Sequence, residues 1–293
     1  MEFLLQLTVN GVVSGAIFAL MAVGFALIYS TTRIFHVAYG GVFTVGAYSL
    51  FFLTRVLGVP LIAALVGTLA ITTALGLALE LWGYRPLRKR GASLATYMLG
   101  SFGLFIILQN LVQIIFGTQP ETVREAPLPS WQFAGARITF LHLMVIGACV
   151  IIFPAIHLFL TKAKLGKAVR ALADNPHLAT VIGINTNRLY LVIAALGSAL
   201  AGVSAIFVAV DVGVTLEVGF TVLLIAAVAA IIGGVGHLPG AGVAAFMLGL
   251  IQNLSAIKLS PQWQEAVAFT IFIFFLIFRP QGLFGARLAA KKP

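Results

Sequence analysis

Acidic side chains are scarce in this chain: eight Asp and Glu stand against eighteen Lys and Arg in 293 residues, and only 9% of the residues are charged. A soluble globule of this length needs far more polar surface, so a soluble fold is excluded. Cysteine occurs once, at Cys149 in an apolar run, which rules out an internal disulfide and a cysteine metal cluster and leaves the redox compartment open. No G-x-x-x-x-G-K-[ST] loop is present, because Gly166-Lys167 is followed by Ala168; ATP has no such site here. H-E-x-x-H and G-x-S-x-G are absent and the His residues lie in separate segments, so metal-dependent and serine hydrolysis have no support. A proton-coupled carrier ordinarily needs ionisable groups at mid-bilayer, and Glu80 is the single acid inside an apolar run. Glu80 precedes Arg85 by five residues near a membrane face, where pairing with a neighbour is expected; a part in transport is the alternative.

What the chain does have is apolar length: 61% of residues are hydrophobic and mean hydropathy is +1.09. The runs are long enough to cross a bilayer repeatedly as helices, and the alternation of a lipid-facing barrel strand is missing. The expected fold is an all-α polytopic membrane protein of eight or nine spans, some short or broken, forming one transmembrane domain over 1–293. The first run, Phe3 to Tyr29, follows Glu2 rather than a basic region and reads as a retained span, not a signal peptide. Threading the runs alternately puts fourteen of the eighteen Lys and Arg on one side, including Arg33, Arg85 to Arg90, Lys162 to Arg170 and the tail Arg287, Lys291 and Lys292. That side is cytoplasmic by the positive-inside rule, with the N-terminus outside and the C-terminus in the cytoplasm.

The most informative polar stretch runs from Lys164 to Asn187, within a cytoplasmic loop over 162–188. Pro176 disfavours helix at Asn175, so a helix through Val169 and Leu172 stops there. A second, shorter helix then begins with Asn175 as cap and Pro176 in its first turn, and Gly183 closes it in the left-handed conformation. Leu178, Val181 and Ile182 share one face of it, outside the hydrophobic spans. That face meets either a partner or the protein's own loops and headgroups.

Glycine breaks two regions that would otherwise read as ordinary spans. Gly40, Gly41 and Gly46 interrupt the second run, predicting an irregular helix, and residues 233–242, GGVGHLPGAG, separate two short runs, 220–232 and 243–257. Such interruptions point to a transport pathway, because freed backbone groups need a polar cavity or protein neighbours; a tight helical hairpin is the bland alternative. Gln109, Asn110 and Gln113 should face protein or water, and Gln109 and Asn110 with Asn253 are expected to border the pathway. His237 reads as solvated or bonded to backbone, with a ligand or titrating group as the alternative. The 117–137 loop, with Pro120, Pro127 and Pro129, cannot be one long helix; it is an external lid with Trp131 at the interface, or a partner surface. Two weak internal matches, one around His36 and His237 and one around Gln109-Asn110 and Gln252-Asn253, imply incompatible registers and establish no repeat.

Taken together, ELWGYRPLR at 80–88, LQN at 108–110, RALADNPHLATVIGIN at 170–185, GGVGHLPGAGVAAFMLG at 233–249 and RPQGLFG at 279–285 give the chain a specific likeness. In the order and spacing of these segments, over nearly its whole length, it resembles the integral permease subunits of branched-chain amino-acid ABC importers. The resemblance implies a permease without an ATPase site or bound cofactor, in a bacterial inner membrane, moving a small apolar amino acid inward. It implies as partners a second homologous permease, two cytoplasmic ATPase subunits that hydrolyse ATP, and an external or periplasmic substrate-binding protein. Residues 162–188 become the ATPase-coupling loop, with Arg170, Asp174, Asn175, Pro176, His177, Leu178, Val181, Ile182 and Gly183 as its working part. On the translocation pathway the resemblance and the broken spans place His36, Tyr39, Gly40, Gly41, Gln109, Asn110, Gly233, Gly234 and Asn253. One departure falls at the second span, where the family commonly reads Asn-Phe-Ala-His-Gly and an acid; here Tyr39 replaces the His and Gly41 the acid. Relatives handling urea, amides or aromatic acids are therefore alternatives, and a passive channel or facilitator is the alternative from another class.

Overall fold

A computed structural model describes residues 2–124, 129–133, 135–234, 236–279 and 281–284. Glu125, Pro127, Pro280 and the basic tail with Arg287, Lys291 and Lys292 lie outside the described residues. Twelve α-helices run along the described chain: α1 (Glu2–Thr32), α2 (Ala38–Phe51), α3 (Leu61–Ala78), α4 (Arg85–Lys89), α5 (Leu94–Phe116), α6 (Phe140–Lys162), α7 (Lys164–Asp174), α8 (Pro176–Val181), α9 (Thr186–Asp211), α10 (Val218–Gly233), α11 (Leu238–Ser255) and α12 (Gln264–Phe278). Among the described residues seven helices are long and apolar enough to span a membrane by length and composition. The shorter apolar α10 adds to these, and α2 continues as a π-helical turn over Phe52–Val56, which fits the expected eight or nine spans with some short or broken.

α1 is the hub. It is buried along most of its length, with Leu20, Met21 and Ala22 wholly inaccessible, and it packs on α9, α10 and α11. Glycine makes the closest of these approaches possible: Gly15 and Gly249 lie so near that a Cβ on Gly249 would collide with the Gly15 backbone. In a membrane, where lipid is as apolar as the helix face, such close packing is a main source of helix affinity. Gly40 meets the carbonyl of Gly219 in the same way, so the second span is a regular helix through its glycines, and its irregularity falls at its C-terminal end, in the π turn. α12 and the outward sides of α3, α5 and α6 form the periphery, carrying exposed side chains such as Ile62, Leu99, Ile151 and Ile277.

The loop between α5 and α6 contains an antiparallel β-hairpin, β1 (Ser130–Phe133) with β2 (Ala136–Thr139), in the register Ser130 to Thr139. It is tied to the first turn of α1, since Gln6 Oε1 accepts the Arg137 N–H at 2.7 Å, and Thr139 caps α6. Prolines exclude the long helix as the sequence suggests, but the hairpin itself has no tight-turn signature in the residues flanking Gly135.

Candidate functional site

The 162–188 segment folds as its residues dictate. α7 buries Val169 and Leu172 and keeps Arg170 and Asp174 at the surface. Asn175 leaves helical geometry at φ −150°, and its Oδ1 accepts the Leu178 N–H at 3.0 Å, capping α8 directly behind Pro176. α8 ends where Gly183 takes φ +84°, and the Ile184 N–H reaches back to the Ala179 carbonyl at 3.0 Å. Only Ala179 points inward. Leu178, Val181 and Ile182 are 57%, 69% and 69% exposed, beside an exposed His177. Burying a Leu, Val or Ile is worth about 1.5–3 kcal/mol each, so this face forfeits that stabilisation in the isolated chain.

The residues expected along the pathway fall into separate groups. His36 is buried in the turn between α1 and α2; its Nδ1 and the Tyr84 hydroxyl are 2.7 Å apart, and Ser101 Oγ, 2.8 Å from that hydroxyl, accepts the Ala38 N–H. Burial pushes the His36 imidazole down to about 3, so it is neutral at physiological pH. Tyr39 is wholly inside, and its hydroxyl donates to the Gly197 carbonyl at 3.0 Å, filling the space that Gly24 leaves open between α1, α2 and α9. Gly41 rests on Leu108. Tyr39 and Gly41 thus pack helices together.

Gly233 and Gly234 sit at the end of α10, where the chain after α12 folds back: the Leu283 N–H donates to the Ile232 carbonyl at 2.7 Å, and Gly282 lies against Gly234. The two segments singled out in sequence as GGVGHLPGAG and RPQGLFG are therefore one contact. His237 caps α11 by accepting the Gly240 N–H at 3.0 Å and stacks on Phe284. Gln109 is half-buried and reaches the Leu216 carbonyl at 3.5 Å, whereas Asn110 is exposed on α5 and donates to the Ile106 carbonyl one turn back, with Gln113 exposed beyond it. Asn253 bonds to the Gly249 carbonyl at 3.0 Å.

Sequence reasoning missed a polar cluster where the C-terminal end of α3 meets the start of α9. Glu80 pairs with Arg88 rather than Arg85: both terminal nitrogens of Arg88 lie 2.8 Å from Glu80 Oε1, and the guanidinium rests 3.7 Å from the centre of the Tyr190 ring. The cause is a π-helical turn over Leu79–Tyr84, which turns Glu80 and Tyr84 inward while Leu81 and Trp82 face out. Thr32, His36, Gly76, Glu80, Tyr84 and Tyr190 line a crevice of about 20 Å³, room for roughly one water. Among the described residues no group of three or more His, Cys, Asp or Glu could hold a metal ion.

A glycine-packed bundle of long apolar helices with a capped, apolar-faced helix presented outside its spans is a polytopic helical membrane protein. The chain belongs to the family described as branched-chain amino acid transport system / permease component, whose model matches residues 7–276. It is 30% identical to the high-affinity branched-chain amino acid transport system permease protein BraD of Pseudomonas aeruginosa, covering 96% of this chain and 95% of that protein. It is also 30% identical to the corresponding permease protein LivH of Escherichia coli K12, covering 97% and 96%. The permease protein LivM of the same organism is 25% identical, over 91% of this chain and 67% of that one. In fold, it is similar to a chain of PsaBC from Streptococcus pneumoniae, solved in complex with Fab, at a TM-score of 0.54 and 15% identity, covering 96% and 93%.

Proposed function

We propose that this chain is one permease subunit of an ATP-driven importer that moves branched-chain amino acids inward across the cytoplasmic membrane. The observation that carries the mechanism is the α8 face: three large apolar side chains, held outward by a cap, a proline and a left-handed glycine, on a helix outside the membrane spans. Two cytoplasmic ATPase subunits bind ATP, and a groove on one of them receives this face. A second permease of the same family completes the pathway, and an external binding protein delivers the solute. In this reading the 162–188 loop and the C-terminus lie in the cytoplasm, and the β-hairpin and N-terminus lie outside.

Coupling requires that the groove hold α8 differently in the two states of the ATPase pair, because a partner with equal affinity for both shifts no equilibrium. Along the pathway, Asn110 on α5 is the pathway residue most open to water or to the second permease, with Gln109 behind it. His36, Tyr39, Gly40 and Gly41, and at the other group Gly233, Gly234 and Asn253, support its walls from within the subunit. The test is uptake by the complex co-expressed with its ATPases and binding protein, using labelled leucine, isoleucine and valine against urea, an amide and an aromatic acid. Leu178→Asp places an unpaired charge in the groove at a cost of about 3–5 kcal/mol, so ATPase co-purification and import should be lost together. Normal assembly and import by that variant would remove the coupling role, and preferential uptake of urea, the amide or the aromatic acid would remove the substrate.

A further inference from the structure

The coupling segment does not end at Gly183. It runs through Asn185, which caps α9 by accepting the Arg188 N–H at 3.1 Å, into the first turns of α9 at Leu189 and Tyr190. Tyr190 is 8% exposed, and its ring is the platform for Arg88. Arg88 belongs to α4, the elbow between α3 and α5, and its partner Glu80 is 4% exposed in the π-helical turn below that elbow. A carboxylate, a guanidinium and an aromatic ring thus join the exit of the coupling segment to the α3–α5 hairpin at the inner end of the bundle.

Such a cluster is an expensive way to obtain stability alone. Glu80 is buried while the Arg88 side chain stays 24% exposed, so the cost of withdrawing charge from water falls mainly on the carboxylate, and an apolar set of similar volume is often as stable or more so. What the charged set adds is direction. The guanidinium is planar, is fixed by two nitrogens on one carboxylate oxygen, and lies over one ring, so displacing the first turn of α9 moves Tyr190 against a group that cannot slide freely. The hairpin it would drag includes α5, the helix that carries Gln109 and Asn110. Tyr84, in the same π turn, adds a second tie through its contacts with Ser101 on α5 and with His36.

We infer that Glu80, Arg88 and Tyr190 are positioning residues that carry movement of the coupling segment to the α3–α5 hairpin, so that ATP hydrolysis does work on the pathway. The inference rests on the proposed coupling role of α8. In proteoliposomes holding the whole complex, the quantity to measure is solute imported per ATP hydrolysed. Tyr190→Phe keeps the ring and should stay within about twofold of wild type, while Tyr190→Leu, which leaves the charge pair intact, should lower the ratio about tenfold with ATPases still bound in wild-type proportion. A wild-type ratio for Tyr190→Leu, or loss of its ATPases, would overturn the assignment.

The triple variant Glu80→Met, Arg88→Met and Tyr190→Leu replaces the cluster with apolar packing and removes both charges of the pair together, so it decides the matter if the single variant does not fold. Folded and uncoupled, it supports the joint; folded and fully coupled, it reduces the cluster to a structural pair. Failure of the coupling role itself is read separately, from Leu178→Asp, because that variant acts on assembly and Tyr190→Leu on the ratio within an assembled complex.

Discussion

His36 shows how one buried side chain sets a pH limit. Its imidazole faces the Tyr84 hydroxyl and Ser101, with Glu80 across the crevice, and burial holds it near 3 against an ordinary 6.5. The unfolded chain therefore takes up a proton first as pH falls. The stability from keeping His36 neutral is full above pH 6.5 and is lost progressively between 6.5 and 3, amounting to about 2 kcal/mol at pH 5. The apparent melting temperature of purified protein should fall between pH 7.5 and 5, and His36→Gln should remove part of that fall; equal slopes would show that His36 protonates without unfolding anything. Asn175, Pro176 and Gly183 could be read from the sequence because caps, prolines and left-handed glycines act through local backbone geometry. Arg88 and Tyr190 could not, since their meeting depends on a π turn that no residue in Leu79–Tyr84 announces and on a partner about a hundred residues away.

At the scale of elements, glycine has two uses here with opposite consequences for substitution. Gly249→Ala drives a Cβ into the Gly15 backbone, and overpacking of that kind costs about 1–3 kcal/mol, so α1 and α11 should separate with a lower melting temperature and poorer yield. Gly103→Ala on α5 meets nothing within 4 Å and should leave melting unchanged or raise it slightly. Gly183→Val also meets nothing within 4 Å, but φ +84° strains a β-branched residue by roughly 1–2 kcal/mol, mis-aiming α8 while keeping its apolar face. ATPase co-purification should then survive better than transport; equal loss of both would show that the aim of α8 carries no separate weight. The glycines at 40 and 41 were legible as special positions, but whether they break a helix or admit a neighbour is a tertiary fact, and here they admit Gly219 and Leu108.

For the whole molecule, charge asymmetry predicts which end of each span faces the cytoplasm. In a Cys149→Ala background, a cysteine at Gln132 in the β-hairpin should react with a membrane-impermeant maleimide on intact cells, and one at His177 only after permeabilisation. The reverse pattern would invert the topology and remove α8 from any cytoplasmic ATPase. The spans were visible as apolar runs, whereas the identity of the hub was not, because every run is apolar enough to be central and only packing distinguishes them. That hub has a consequence for how the protein is made. α1 leaves the ribosome first, yet it packs on α9, α10 and α11, which emerge after most of the chain is already in the bilayer. Until then its glycine face has no final neighbour, and contacts so distant in sequence form slowly. Nascent chains stopped before α9 should therefore be fully inserted but short-lived, cleared by membrane proteases, while release of α11 should mark the moment at which the protein becomes durable.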